Sequence, residues 1–341
     1  MPPRKPAASV NIKDVARHAG VSLGSASRVV NNVANVGEAT RAKVLAAIEA
    51  LGYRPNHAAQ SLRSRSTRTI GCLVTDVSNP LYAQLFRALE ERFLAEGYLL
   101  LLANGLNDPD REIALLNLFR LRGMDGVVIA PGNERHPGVL KAVAALEMPA
   151  VVLDRDLASP HDKVQFDHAV GMRTAVSHLA ALGHRRIALV QSQSANRPMR
   201  RRAEGLRAAC KSHGLDVDDR WLVQLPSSTS SAYDAVAALL ATPDRPTALL
   251  VQGTSILVET LNAIAAAGLA IPRDLSPVTL GDPDFAVHHA PPLTALRVDL
   301  HAVADRTAER LLARLGGETT EAVSLRVPSE LIERGSCGPA R

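Results

Sequence analysis

The chain has 341 residues, 46% of them hydrophobic and only 3% aromatic, with 39 Lys and Arg against 34 Asp and Glu and a net charge of +5. That apolar content is ample for folding, Ala, Leu and Val must fill the cores, and no apolar run reaches the length that a membrane-spanning helix needs. The cysteines Cys72, Cys210 and Cys337 are odd in number and far apart, with no metal or redox spacing, so a reducing, cytoplasmic home is expected and no cofactor or metal is.

Residues 1–10, MPPRKPAASV, are basic and Pro-rich without an apolar centre, which predicts a disordered basic arm rather than a signal peptide. Over 11–54 three short helical patterns follow one another. In the first, Ile12, Val15, Ala16 and Ala19 recur at i, i+3, i+4 and i+7, with Asn11 placed to cap it and Asp14 suited to its positive end. Gly20-Val21 breaks the pattern and Ser22 caps a second helix, expected to bury Ala26, Val29, Val30 and Val33. Its other face carries Leu23, Gly24, Ser27, Arg28 and Asn31. A third helix places Val44, Ala47, Ile48 and Leu51 on one side and stops at Gly52. Two helices across a Gly-containing turn, braced by a third, read as a helix-turn-helix. The charge agrees: residues 1–69 hold eleven Lys and Arg against three acids, a net of +8, and the remainder carries −3. A basic head on a mildly acidic body is the footprint of a DNA-binding domain.

Residues 55–69 form a short helical segment, PNHAAQSL, and a polar run, RSRSTRT. Such a helix is marginal alone, and a flexible linker is the alternative reading. From 70 onward strands alternate with helices: strands at Ile70–Val74, Tyr98–Ala103, Val127–Ala130, Ala150–Leu153, Ile187–Val190, Ala248–Val251 and Val278–Leu280. Helices are expected at Pro80–Glu96, Asp108–Arg122, Pro137–Leu146, Ala169–Leu182, Met199–His213, Tyr233–Leu240 and Ile256–Ala267. This alternation predicts doubly wound parallel sheets, and the roughly 280 residues beyond the head are enough for two lobes.

Specific motifs accompany the pattern. I-K-D-V-A stands at Ile12–Ala16, A-G-V-S at Ala19–Ser22, S-R-V-V-N at Ser27–Asn31, T-R at Thr40-Arg41 and L-G-Y-x-P-N at Leu51–Asn56. Further on come S-N-P at Ser78–Pro80, D-G-V-V-I-A-P at Asp125–Pro131, L-D-R at Leu153–Arg155, H-L-x-x-L-G-H-R-R-I at His178–Ile187, I-P-x-D-L-S at Ile271–Ser276 and P-P-L-T at Pro291–Thr294. Over roughly 11–335 the chain resembles the lactose/galactose repressor (LacI/GalR) family. The resemblance implies an all-α helix-turn-helix headpiece and an α/β core of two doubly wound parallel-sheet lobes like a periplasmic sugar-binding protein. It implies chain crossings near 163–168, 292–298 and 322–328, hence a first lobe of about 70–165 plus 296–323 and a second of about 166–295 plus 324–335. It also makes 55–62 a hinge helix that orders on DNA, with Leu62 as the wedge in the minor groove and Ala59 allowing close approach.

The expected DNA contacts are Ser22, Leu23, Gly24, Ser25, Ser27, Arg28, Asn31, Asn56, Ala59 and Leu62, with Ser22 and Ser27 on phosphates and Leu23, Gly24 and Arg28 facing base edges. Ligands of open α/β sheets bind beyond the strands' carboxyl ends, which nominates Asn79, Leu81, Tyr82, Asp154, Arg155, Arg202, Gln252 and Asp282 as effector contacts. Arg202 stands where the resemblance places an arginine that holds effector oxygens; the alternative is one more solvated base in the run Arg200–Arg202. Asp154 has pairing with Arg155 as its alternative, and His168, where relatives usually have Asn, is read as structural. The family's A-N-D is here Gln252-Gly253-Thr254 and its F-D-D is Leu280-Gly281-Asp282. Two polar side chains are thus replaced by glycine, which disfavours a neutral sugar and favours a sugar acid or other small carboxylate at Arg202.

The reading is a homodimeric, effector-responsive transcriptional repressor of operator DNA. The rivals are a periplasmic-type solute-binding protein, which leaves 11–63 unexplained, and an α/β enzyme, for which no G-x-S-x-G, P-loop, H-E-x-x-H or C-x-x-C motif is present.

Overall fold

The computed structural model describes residues 10–31, 36–53, 66–193, 196–215, 217–226 and 231–341. They divide into two compact units between Thr67 and Arg68. No helix among them is long and apolar enough to cross a membrane.

The first unit holds α1 (Ile12–Ala19), α2 (Leu23–Val30) and α3 (Glu38–Leu51). The Asn11 side chain accepts from the N–H groups of Lys13 and Asp14, and the Asp14 carboxylate accepts from Asn11 N–H at 3.0 Å, so the first orphan donors of α1 are satisfied reciprocally. Gly20 ends α1 at φ +63, a conformation that a Cβ disfavours, and so turns the chain sharply. Two residues on, Ser22 Oγ accepts from Ser25 N–H at 3.1 Å and starts α2. Val15, Ala16, Ala26, Val29, Val44 and Ala47 meet in one buried cluster. Val30, expected inside, sits in the last turn of α2 and is only half-buried. Val33, the arm up to residue 9 and the 54–65 segment with Asn56, Ala59 and Leu62 lie outside the described residues.

The second unit opens with β1 (Thr69–Val74), α4 (Pro80–Ala95), β2 (Leu99–Asn104), α5 (Pro109–Leu121), β3 (Gly126–Ile129), α6 (Pro137–Ala144), β4 (Ala150–Leu153) and β5 (Asp162–Asp167). It continues with α7 (His168–Ala181), β6 (Ile187–Ser192), α8 (Arg197–Ser212), β7 (Leu222–Leu225), α9 (Ala232–Leu240), β8 (Ala248–Gln252), α10 (Ser255–Ala266) and β9 (Ser276–Leu280). The last elements are α11 (Asp284–His288), β10 (Thr294–Val298), α12 (Leu300–Leu315) and β11 (Ser324–Ile332). The strand order is β2-β1-β3-β4-β5-β11-β10-β9-β8-β6-β7, parallel throughout except where β11 meets β10. Buried on both faces, inner strands such as β3, β4 and β8 read as continuous apolar runs rather than alternations.

β11 joins two sheets. Its residues Ser324–Pro328 run parallel to Lys163–Asp167, and Ser329–Ile332 then pair antiparallel with Val298–Ala295. Each sheet has its own core: Ile70, Leu85, Phe93, Val128, Val151, Phe166 and Leu311 in the first lobe, and Val190, Leu249, Leu257, Met172 and Val278 in the two clusters of the second. The lobe limits differ by a few residues from those expected at all three crossings, Phe166 and Asp167 also lying on β5 of the first sheet. Ser324–Val327, expected in the second lobe, extend the first sheet, while Leu296 and Arg297, expected in the first, pair within the second. A nine-residue strand serves both sheets, and its register is a long-range property that short-window periodicity does not carry. The second lobe also continues past residue 335: Ser336 Oγ accepts from Thr294 N–H, Gly338 N–H donates to Ser276 Oγ, and Ala340 N–H donates to the Leu182 carbonyl.

In the first lobe α12 is tied to the sheet through Asp162, whose side chain is fully buried. Arg314 Nε and Nη2 each donate to its carboxylate at 2.9 Å, Arg310 Nε at 3.2 Å and Val323 N–H at 2.8 Å. Burial alone would raise this carboxyl, but the two guanidiniums and the backbone donor hold it down at about 2.

Candidate functional site

The strands' carboxyl ends from both lobes open onto one cleft of about 880 Å³. The loop after β1 contributes Asp76, Ser78 and Asn79; the loop after β4, Asp154 and Arg155; and the second lobe, Ser192, Gln252 and Asp282 from its strand ends with Arg202 from α8. The effector candidates Asn79, Leu81, Tyr82, Asp154, Arg155, Arg202, Gln252 and Asp282 all border it, but their chemistry differs from residue to residue.

Several have their polar atoms engaged within the protein. Asn79 caps α4, its Oδ1 accepting from Leu81 N–H at 3.1 Å. Arg155 is 1% exposed and donates to the carbonyls of Pro131 and Asp154 and to the Tyr82 hydroxyl, the last at 3.0 Å. It therefore holds the wall of the cleft and orients Tyr82. Asp154 sits at φ +47 and does not pair with Arg155 through its carboxylate. Its Oδ1 accepts from Arg197 Nη1 at 2.5 Å and from Phe166 N–H at 3.2 Å, and its Oδ2 from His168 Nε2 at 2.8 Å. Burial raises the Asp154 carboxyl, and His168, Arg197 and Arg155 together bring it down to about 2. Burial pushes the His168 imidazole below its ordinary value; Asp154 opposes that shift and Arg202 and Arg197 reinforce it. His168 is thus tied to Asp154 in the wall of the cleft. Asp282 is clamped by Arg334, whose Nη1 and Nη2 donate to its two oxygens at 2.8 Å each. Asp154 and Asp282 thus line the cleft while each is held in place by an arginine, Arg197 and Arg334, that the sequence reading did not connect with it.

Gln252 and Arg202 are among the candidates that keep unspent donors. Gln252 accepts from Ser192 N–H through Oε1 at 3.1 Å, which fixes the side chain and leaves its amide NH2 for the cleft. Arg202 Nη1 is buried with no hydrogen-bond partner. Burial lowers the affinity of this guanidinium for its proton, and the nearby Asp154 and Tyr82 raise it; a guanidinium stays charged under such conditions. A buried cationic donor without a partner is costly unless a ligand supplies one.

The two glycines do not leave a pair of vacated side-chain sites. A Cβ on Gly253 would lie 2.9 Å from Thr279 Oγ1 and 3.1 Å from the Leu280 carbonyl, so a side chain there would require its neighbours to shift. Gly281 faces open space, but at φ +107 a side chain there is strained. Glycine at both positions thus suits the local backbone as well as leaving no polar side chain there.

In the first unit, α2 presents the residues expected to read DNA. Ser22, Leu23, Gly24, Arg28 and Asn31 are exposed, and Ser25 and Ser27 are half-buried. Ser22 and Ser25 hydroxyls lie 2.9 Å apart, and Asn31 Nδ2 donates to Ser27 Oγ at 3.3 Å. Leu23 is the apolar member of this face, 37% exposed.

Comparison with known proteins completes the picture. Residues 11–56 match the family described as bacterial regulatory proteins, lacI family, and residues 176–337 match the periplasmic binding protein-like domain. The ribose operon repressor of Escherichia coli is 32% identical over 326 residues, 95% of this chain and 99% of that protein. Catabolite control protein A of Priestia megaterium is 32% identical over 96% of this chain and 99% of its own length. A Lac repressor structure bound to ONPG in the repressed state superposes with a TM-score of 0.85 at 27% identity, covering 96% of this chain and 99% of that one. With a helix-turn-helix head, a two-lobed core and full-length relatives of the same design, this chain belongs to the lacI family of bacterial regulatory proteins.

Proposed function

We propose that this protein is a cytoplasmic, homodimeric transcriptional repressor whose affinity for operator DNA is set by a small anionic effector, a sugar acid or other small carboxylate, held between the lobes by Arg202. One observation carries the choice of an anion: Arg202 brings an unpartnered guanidinium donor to the cleft, while the acids around it are already engaged. Asp154 is held by Arg197 and Asp282 by Arg334. The Glu259 carboxylate accepts from the N–H groups of Ala232 and Tyr233, and that of Asp299 from those of His301 and Ala302. A planar carboxylate would meet the guanidinium in the two-bond geometry that suits it. Isothermal titration of the full-length protein with matched pairs, gluconate against glucose and galacturonate against galactose, tests this. Tighter binding of an acid than of its neutral parent is expected; the reverse order overturns the anion.

A face for dimerisation is available in exposed Leu94, Leu99, Leu101, Leu102, Leu118 and Leu121, on the edge strand β2 and the helices before and after it. An apolar edge of this kind favours burial against a second copy.

On DNA, α2 would enter the major groove with Arg28 at a base edge. Arg28→Ala is expected to weaken operator binding by about 1–3 kcal/mol and to relax preference at one base pair per half-site. An equal loss on operator and random DNA, measured by competition gel shift, would reduce Arg28 to a phosphate contact. Operator affinity should also fall steeply with salt, given the +8 of residues 1–69.

A further inference from the structure

One flank of the cleft carries a charge cluster that links the two lobes. The first turn of α8, in the second lobe, sends two arginines across to the loops after β3 and β4 of the first. Arg197 Nη1 lies 2.5 Å from Asp154 Oδ1 and its Nε 3.2 Å from Asp156 Oδ1. Arg200 Nη2 donates to Asp156 Oδ2 at 2.9 Å, and its Nη1 donates to Glu134 Oε1. Glu134 is 2% exposed, and its other oxygen accepts from Asp156 N–H at 2.6 Å, so the two loops of the first lobe are bound into one acidic receptor. Gln165 Nε2 donates to Asp156 Oδ1 at 3.1 Å and completes it. A second polar link between the lobes, Gln84 Nε2 to Asp284 Oδ1 at 3.2 Å, is exposed and has a single charge.

We infer that the Arg197–Arg200 cluster is a clasp and the pivot of lobe motion, and that the lobes part at the Gln84–Asp284 edge. The reason is an asymmetry of strength. Arg197, Asp154 and Glu134 are buried and Arg200 and Asp156 half-buried; charges so placed are screened little by salt, and removing one strands the others. An exposed bond to a single charge is exchanged for water at little cost. A motion that keeps the clasp and spends the exposed bond therefore has the lower barrier. Arg202, five positions beyond Arg197 on the same helix, would then swing with α8 about the clasp, so closure on a ligand moves the cleft wall rather than dismantling the cluster.

The test is distance measurement between paired spin labels in the full-length protein, diluted with unlabelled chains so that only pairs within one chain are read. One pair replaces exposed Arg135 and Glu204, across the clasp; the other replaces exposed Glu91 and Val287, across the Gln84–Asp284 edge. In otherwise wild-type protein the clasp pair should give a narrow distribution and the edge pair a broader one. Glu134→Gln with Arg200→Gln should lengthen and broaden the clasp pair, whereas Gln84→Ala with Asp284→Ala should leave it unchanged. An equally broad clasp pair in wild type, or a clasp pair indifferent to the Glu134 and Arg200 substitutions, overturns the pivot. The wild-type comparison decides the matter even if a clasp variant fails to fold.

Discussion

Asp162→Asn is expected to destabilise the core unit by about 3–5 kcal/mol, the cost of breaking a buried charge cluster by removing one partner. Asp162 is the shared acceptor of Arg310, Arg314 and the Val323 N–H, and its side chain has no exposure. Asparagine keeps the shape but loses the charge, and it turns an acceptor into an amide donor that faces guanidinium donors. Arg310 retains Glu318 and Arg314 retains the carbonyls of Glu318, Thr320 and Glu321, which is why the loss is not larger. The pH dependence follows from the direction of the shift. The folded carboxyl is depressed to about 2, so its contribution is complete above its ordinary range near 4 and disappears as pH falls from about 4 towards about 2. The difference in stability between wild type and Asp162→Asn, read from urea unfolding, should therefore be constant at neutral pH and shrink over that window. A loss below about 1 kcal/mol would place Asp162 among ordinary surface pairs.

Arg202→Ala should cost the acidic effector about 2–5 kcal/mol of binding free energy, the range for truncating one partner of a buried, hydrogen-bonded charge pair, or roughly thirtyfold or more in Kd. Arg202→Lys should recover only part of it, because a point charge replaces a planar two-pronged donor. Thermal stability without ligand should rise or stay level in Arg202→Ala, since the buried Nη1 has no partner to lose. An acid that binds wild type and Arg202→Ala equally, by isothermal titration, would remove Arg202 from the site.

The head was legible because its signals are local. Asn11 with Asp14, Gly20 and Ser22 carry their caps and turns within three residues, and the family motifs fall on the same positions. Strands β1 to β4, β6, β8 and β9 were legible as apolar runs between helical patterns, whereas β5 and β7 were not read as strands; the rule that ligands gather beyond strand ends was enough to nominate residues around the cleft. What escaped was long-range. α12 and β11 were not foreseen as elements, and β11 has meaning only through its two partners, β5 and β10. Arg197, Arg200, Arg201 and Arg202 look alike in the sequence; only the turn of α8 sends Arg197 and Arg200 to the first lobe and Arg202 to the cleft. The arginine partners of Asp154 and Asp282, Arg197 and Arg334, lie 43 and 52 residues away and no local pattern connects them. Gly253 and Gly281 were read as missing side chains; the crowding at one and the positive φ at the other were not visible in the sequence.

The central claim is that an anion at Arg202 controls operator affinity. Its most direct measurement is the Kd of the full-length protein for an operator selected from random DNA, with and without a saturating acid that titration has shown to bind. Coupling between the sites predicts a change of about 5–150-fold in wild type. Arg202→Ala should show the same effector-free Kd and no change at that acid concentration. No response of wild-type operator binding to the bound acid, or the same response in Arg202→Ala, would contradict the account.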